Sequence, residues 1–129
     1  MIGDSGGNGR GMGAVATKLN TEWGGKPFVA HIPDYYTYNV VSKEMASRGL
    51  VKEGQSDGLH DDPIISMNMF AADPKTIRYD ERVKAGKASI NGVDLSDRKK
   101  TTEIAKAIVD FRATYTVNAI QKAIEANKK

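Results

Sequence analysis

The most constraining feature of this chain is the glycine-rich segment at its start. The first thirteen residues contain six glycines, together with the polar side chains of Asp4, Ser5 and Asn8. A run of this kind normally lies between a strand and a helix, because glycine permits a sharp turn and lets backbone N–H groups approach a ligand at the helix start. Only Met1 and Ile2 precede the loop, so we expect the sequence to begin inside an α/β unit.

The composition is that of one globular domain. The chain has 129 residues, of which 40% are hydrophobic and 27% charged, so we expect residues 1–129 to form a single domain. No apolar run of about 18 residues is present to span a membrane, and no signal peptide is recognisable. The absence of cysteine excludes disulfides and cysteine-ligated zinc. No feature indicates a compartment, and the cytoplasm is the default expectation.

The charge pattern does not indicate a nucleic-acid partner. The formal net charge at pH 7 is +3, and most basic residues lie near acidic neighbours or at predicted helix ends, as in the segment 97–100. Aromatic residues do not alternate with these charges. A solvated surface is therefore the expected role of the lysines and arginines.

The first half of the chain shows a helix, a strand and a second helix. Apolar residues recur at three- and four-residue spacing over 12–23, which predicts a helix that ends at Gly24. The run 26–33 is short, apolar and closed by prolines, which is typical of a buried strand. A second helix is predicted from Tyr38 to Gly49. Helix followed by strand indicates a parallel α/β layer.

The second half contains two further predicted helices, and residues 77–94 between them show no sustained period. Asp61 or Asp62 can cap a helix that is buried on most sides and stops at Asp73. Asn91-Gly92 is a tight-turn signal and predicts a small hairpin or a crossing loop. One long helix is expected from about residue 97 to Ala126, with an apolar stripe that packs on the sheet or on another subunit.

Two motif-like strings near the start are weak evidence for chemistry. Gly3–Gly7 copies the nucleophile pentapeptide of trypsin-like proteases, but those enzymes are β-barrels whose histidine and aspartate lie far upstream of the serine. Gly9–Ala14 resembles part of a dinucleotide fingerprint, yet no acidic residue follows a strand at the required distance, and the P-loop sequence Gly-Lys-Ser/Thr is absent. We expect neither a serine protease nor a nucleotide-binding protein.

A second polar cluster lies where a loop meets a helix. Asp57, His60, Asp61 and Asp62 fall within six residues. Carboxylate and imidazole suit zinc, manganese or iron, and a histidine beside carboxylates can move protons near neutral pH. The aspartates are equally suited to capping the next helix, so a functional site and a helix cap are alternatives here.

The other histidine, His31, ends the predicted strand. This is a position where α/β proteins often place groups that face a ligand. The alternative is a half-buried structural ring near Tyr35 and Tyr36. We favour the lining of a ligand pocket over a catalytic role.

The order of these parts resembles the C-terminal half of the creatininase (creatinine amidohydrolase) family. The resemblance rests on the motif Asp4–Asn8 before a helix, on the strand with His31, and on Gly58–Asp62 before another helix, and it covers nearly the whole chain. It implies a three-layer α/β/α domain with a mainly parallel sheet, truncated at its N-terminus. It also implies assembly as a homo-oligomer and metal-dependent hydrolysis of small cyclic or linear amides.

Aligned on the glycine loop, the chain departs from the family motif. Ser5 stands where the family usually has a metal-binding histidine, and Asp4 beside it could supply an oxygen ligand instead. His60 matches a family histidine near the metal-bound water, whereas Ile65 replaces the family's glutamate. The glutamate, histidine and bridging aspartate of the family's N-terminal half are not in this sequence, so the chain alone cannot assemble two-metal water activation.

The first hypothesis is a creatininase-like amidohydrolase domain that is truncated or that depends on a partner chain for the rest of its site. A divalent metal, which would be zinc, manganese or iron, would be held by Asp4 and Asp57. His60 would pass a proton to the leaving nitrogen, with Asp61 as the second catalytic residue. A small amide or carboxylate ligand would be bound by the glycine loop and by the first histidine, that is, by Ser5, Gly6, Gly7, Asn8 and His31.

The second hypothesis is a non-catalytic protein that binds a small anion in the glycine loop or assembles through its long C-terminal helix. An open sheet edge and exposed apolar helix faces are expected in either case, so both hypotheses predict self-association. A measurement of bound metal separates the two.

Overall fold

The structure is a computed structural model that describes residues 1–52 and 62–128. It is mostly helical, with 66% of the residues in helix. The elements of the described residues are α1 (Asn8–Glu22), a 3₁₀ turn (Pro33–Tyr36), α2 (Tyr38–Ser47), α3 (Pro63–Ala72), a second 3₁₀ turn (Pro74–Ile77), α4 (Tyr79–Lys84), β1 (Ser89–Ile90), β2 (Val93–Asp94) and α5 (Arg98–Ala126).

The expected three-layer α/β/α fold with a mainly parallel sheet is wrong. Within the described residues the sheet has two strands, β1 and β2, and they are antiparallel. The predicted strand 26–33 does not form: Pro27 and Pro33 lack N–H donors, and Pro33 starts a 3₁₀ turn. Ile32 is buried without being part of a sheet, and burial of this kind gives the same apolar signal as a strand.

The chain divides into two compact units, the first made of Met1–Thr37 and Arg112–Lys129 and the second of Tyr38–Phe111. In the first unit, the segment after α1 is held by the Asn20 side chain. Its amide nitrogen donates to the Val29 carbonyl at 2.8 Å, and its amide oxygen accepts from the Val29 N–H at 2.7 Å. This pair of bonds replaces the sheet partner that the segment lacks.

One contact of parallel type joins Met1 to the same segment. The N-terminal amine donates to the Ala30 carbonyl, and the Ile32 N–H donates to the Met1 carbonyl at 2.9 Å. Together these bonds have the pattern of a single parallel β rung. They place Met1, at the start of the segment that contains the glycine loop, beside His31.

The second unit has a hydrophobic core drawn from α2, α3, the hairpin and α5. Met45, Met67, Ile104 and Ile108 are completely buried. Ile104 and Ile108 lie one turn apart and therefore share a helix face, as their spacing in the sequence predicted. Burial of each such side chain contributes about 1.5–3 kcal/mol to folding.

Two hydroxyl groups fix the junction between the hairpin and α5. The Tyr79 hydroxyl and the Thr101 hydroxyl each donate to the Leu95 carbonyl oxygen at 2.8 Å. Tyr79 also packs edge-on against Phe70, with 4.9 Å between the ring centroids. Because the bonds are buried, they hold the start of α5 in place without exposing a backbone carbonyl.

The capping aspartates occupy the predicted helix starts. The Asp62 carboxylate accepts from the Ile65 N–H at 2.9 Å, which selects Asp62 of the two candidate caps for α3. The Asp97 carboxylate accepts from the N–H groups of Lys99 and Lys100 at the start of α5. The predicted helix boundaries near these positions are confirmed to within a residue or two.

The predicted hairpin is confirmed, and its turn residues have positive φ. Ile90 pairs with Val93 across the turn, and Asn91 and Gly92 adopt φ angles of 49° and 72°. This is the left-handed pair that a two-residue hairpin turn requires. Arg78, between the second 3₁₀ turn and α4, also has a φ of 49°, a conformation that costs a residue with a Cβ about 1 kcal/mol.

Candidate ligand-binding site at the start of α1

The glycine loop leads directly into the first turn of α1. The Asn8 N–H donates to the Ser5 carbonyl at 3.1 Å, which closes the turn that starts the helix. Gly7 already has helical angles, with φ −65° and ψ −27°, and no side chain of the described residues caps the helix. Gly6 and Gly7 are exposed. The loop therefore presents backbone N–H groups and the positive end of a 15-residue helix to solvent.

A mostly buried arginine lies behind this loop. The Arg112 side chain is 15% exposed, and its Nη2 lies 3.5 Å from Oδ1 of Asp4. The same nitrogen donates to the Tyr35 carbonyl at 3.3 Å, and the guanidinium carbon lies 5.2 Å from the centre of the Tyr35 ring. The cation is thus held in place by three different interactions. Asp4, half exposed, partly neutralises it.

Aromatic side chains approach the backbone where the sequence has glycine. A Cβ added at Gly6 would lie 3.4 Å from Cε1 of Tyr36, and one added at Gly13 would lie 3.7 Å from Nδ1 of His31. Tyr36 therefore lies at the glycine loop. His31 is half-buried beside the body of α1, further along the helix than the loop.

The predicted substrate-binding residues divide into two groups. Ser5, Gly6, Gly7 and Asn8 lie together at the start of α1, as their adjacency in the sequence requires. His31 lies at Gly13 instead, so any direct role for its ring concerns a ligand that extends along α1. The predicted residues Asp57, His60 and Asp61 lie outside the described residues.

Of the two predicted metal ligands, Asp4 lies within the described residues and Asp57 lies outside them. In residues 1–52 and 62–128, no three histidine, aspartate or glutamate side chains lie close enough together to hold one. A cation bound to Asp4 would also be repelled by the guanidinium of Arg112, 3.5 Å from the carboxylate. This arrangement favours an anionic or carbonyl ligand at the loop.

Arg112 was missed in the sequence, although a signal for it exists. It follows Ile108 by four residues and Ile104 by eight, so it continues the buried stripe of α5. An arginine on the apolar stripe of an amphipathic helix has to be paired or stacked when the helix packs. Nothing in the sequence indicates that the partners are Asp4 and Tyr35, more than seventy residues away.

Compared with models of protein families, with curated proteins and with solved structures, the chain matches none. Among the described helices, none combines the length and the hydropathy that a membrane crossing needs.

Proposed function

We propose that this chain is the ligand-binding part of a creatininase-like amidohydrolase, and that its glycine loop binds the carbonyl oxygen or carboxylate of a small cyclic or linear amide. The observation that carries the proposal is the position of Arg112, a mostly buried cation behind an exposed, uncapped start of α1. The resemblance of Asp4–Asn8 to the family's loop supports the same assignment.

The electrostatics at the start of α1 suit a ligand with negative charge. The N–H groups at the start of α1 and the guanidinium of Arg112 both attract negative charge. The carboxylate of Asp4 offsets part of this attraction. In amide hydrolysis negative charge develops on the carbonyl oxygen as the carbon becomes tetrahedral. Backbone N–H groups that are already positioned stabilise that charge without reorganisation.

The Tyr36 ring lies against the loop, since the Cβ position of Gly6 is 3.4 Å from its Cε1 atom and a longer side chain there would meet the ring. The ring forms an apolar wall beside exposed N–H groups. A wall of this kind suits a small planar amide better than a bare inorganic ion.

Hydrolysis itself is assigned to residues outside those just described. In the creatininase family a bound metal supplies an activated water, and His60, Asp61 and Asp57 are the residues of this chain proposed to take part. Asp4 forms an ion pair with Arg112, and we propose this pairing as its role in place of metal binding. The chain is proposed to act in a homo-oligomer.

The test is a titration of ¹⁵N-labelled protein with creatinine, glycinamide and malonate, read from amide shifts of residues 5–9. We expect saturable shifts in the parent and loss of at least about tenfold in affinity in Gly6→Leu, because a side chain that extends beyond Cβ has to displace the Tyr36 ring, which lies 3.4 Å from the Cβ position. Gly9→Leu is the matched control, since a Cβ there meets nothing within 4 Å. Equal binding by both variants, or no saturable shift with any of the probes, would contradict the proposal.

A second candidate, an assembly protein, is supported by the end of α5. Val117, Ile120 and Ile124 are exposed and recur at three- and four-residue spacing, which forms one apolar stripe. Residues 113–121 contain no charge, so two copies of this segment could pack without repulsion. Light scattering should show a dimer or larger species that Ile120→Lys dissociates, whereas Gln121→Lys does not.

A further inference from the structure

The unit Tyr38–Phe111 contains a cavity whose lining suits a different ligand from the one proposed for the glycine loop. It has a volume of about 280 Å³ and lies between the end of the second 3₁₀ turn, α4 and the hairpin. The charged side chains among its described lining residues are all cationic: Arg78, Arg82 and Lys87. We propose that this cavity binds a small phosphate monoester with an apolar body.

The three cations of the cavity have no carboxylate partner among the described residues. None of the described carboxylates forms an ion pair with Arg78, Arg82 or Lys87, whereas the nearby Asp80 is paired with Arg98. Three exposed cations that line one cavity repel one another, and a bound anion relieves that repulsion. Two guanidinium groups and one ammonium group match a phosphate dianion, which accepts several charge-assisted hydrogen bonds at once.

The rest of the lining determines the other end of the ligand. Ile77, Ala88, Ile90 and Leu95 form an apolar floor. The Tyr79 hydroxyl is already bonded to the Leu95 and Ser96 carbonyls, so it is not expected to donate to a ligand. A volume near the lower limit for small-molecule sites fits one ring or a short chain. A phosphopeptide is too large to be held inside it.

The backbone of Arg78 provides an independent observation. It has a φ of 49° at a position where glycine or asparagine is the usual choice. Because glycine would fit this backbone conformation better, the presence of arginine indicates that its side chain has a role other than folding. The substitution Arg78→Gly therefore separates the two roles, because it removes the charge and relieves the backbone.

The experiment is calorimetric titration of the full chain with phenyl phosphate, inorganic phosphate and phenol at physiological salt. We expect phenyl phosphate to bind in a 1:1 ratio and more tightly than inorganic phosphate, and phenol not to bind. Arg78→Gly, Arg82→Gln and Lys87→Gln should each weaken phenyl phosphate about tenfold or more, as expected for loss of one charge-assisted hydrogen bond. The midpoint of thermal unfolding of Arg78→Gly should not fall.

Lys84→Gln is the control, because Lys84 lies on α4 but is not among the described residues that line the cavity. Its affinity should stay within about twofold of the parent value. An equal loss in Lys84→Gln would mean attraction to surface charge in general and would overturn the proposal, as would the absence of saturable binding. If Arg78→Gly unfolds, the Arg82 and Lys87 variants decide the outcome. Failure of the glycine loop to bind amides would leave this proposal unaffected, since the two sites share no residue.

Discussion

The guanidinium of Arg112 lies 3.5 Å from the carboxylate of Asp4, and this ion pair joins the first turn of the chain to the middle of its last helix. This ion pair changes the interpretation of the glycine loop. A carboxylate that looks in the sequence like a candidate metal ligand has a cation as its neighbour. This neighbour is the reason for proposing that the loop binds an anion or a carbonyl oxygen rather than a metal ion.

Replacement of Arg112 should weaken both folding and ligand binding. Arg112→Gln removes the cation and the bond to the Tyr35 carbonyl, so we expect a loss of about 1–2 kcal/mol in the free energy of unfolding. Malonate affinity at the glycine loop should fall about tenfold. Arg112→Lys should restore part of the affinity because it keeps the charge, but not the stacking on Tyr35.

Arg10→Gln is the matched control for these measurements. Arg10 is exposed on the first turns of α1 and carries the same charge. Urea unfolding and malonate titration of this variant should both resemble the parent. A loss of malonate affinity equal to that of Arg112→Gln would show that net charge alone, and not the position of Arg112, governs binding.

Metal content tests the hydrolytic part of the proposed function. Protein purified without chelator or affinity tag is expected to contain near-stoichiometric zinc, manganese or iron if Asp57, His60 and Asp61 hold a metal. Plasma mass spectrometry should then show its loss in His60→Ala and its retention in Asp4→Asn, because Asp4 is paired with Arg112. Absence of metal from the parent would favour the non-catalytic alternative.

The shared acceptor at Leu95 predicts coupling between two substitutions. Tyr79→Phe removes the hydroxyl that donates to the Leu95 and Ser96 carbonyls, and Thr101→Val removes the second donor to Leu95. Each should lower the free energy of unfolding by about 1 kcal/mol. The double variant should lose more than the sum, because the carbonyl is then left without either hydroxyl donor. Thr102→Val, at an exposed helix position, is the control and should have little effect in urea unfolding. Strict additivity would contradict this account.

The lowered pKa of Asp94 predicts part of the loss of folding stability at acidic pH. The Ser96 N–H, which donates to its carboxylate at 2.9 Å, lowers the pKa of Asp94 below its ordinary value of 3.8, and the Ser96 hydroxyl and Lys100 add to the effect. A lowered pKa in the folded state means that this contribution to stability is present above the unfolded pKa. It is lost as the pH falls through the folded pKa.

Urea unfolding at neutral and acidic pH checks the sign of this effect. Asp94→Asn should lose less stability than the parent on acidification, because it has no carboxylate to protonate. Asp110→Asn, at an exposed position of α5, is the control for removal of a carboxylate elsewhere on the surface. A steeper acid loss in Asp94→Asn than in the parent would contradict the assignment.

The local elements followed from the sequence because their signals are local. Asp62 before Pro63, Asn91 before Gly92 and the stripe of Ile104 and Ile108 specify a cap, a turn and a buried helix face without help from distant residues. The predicted strand 26–33 failed for the opposite reason. A strand needs a neighbouring strand to pair with. In the described residues this segment makes β-type backbone bonds with Met1, through Ala30 and Ile32.

The sequence by itself therefore determined α1, α2, α3 and α5, the tight turn at Asn91 and the contiguous part of the candidate site, since residues 5–8 are neighbours in any fold. The short helix α4 gave no sustained period in the sequence. Tertiary structure alone decided that Arg112 lies beside Asp4 and that Arg78, Arg82 and Lys87 line one cavity. It also decided that the expected parallel sheet is absent from the described residues. The physical reason is that hydrophobic periodicity records which residues are buried, whereas their partners depend on how distant segments pack.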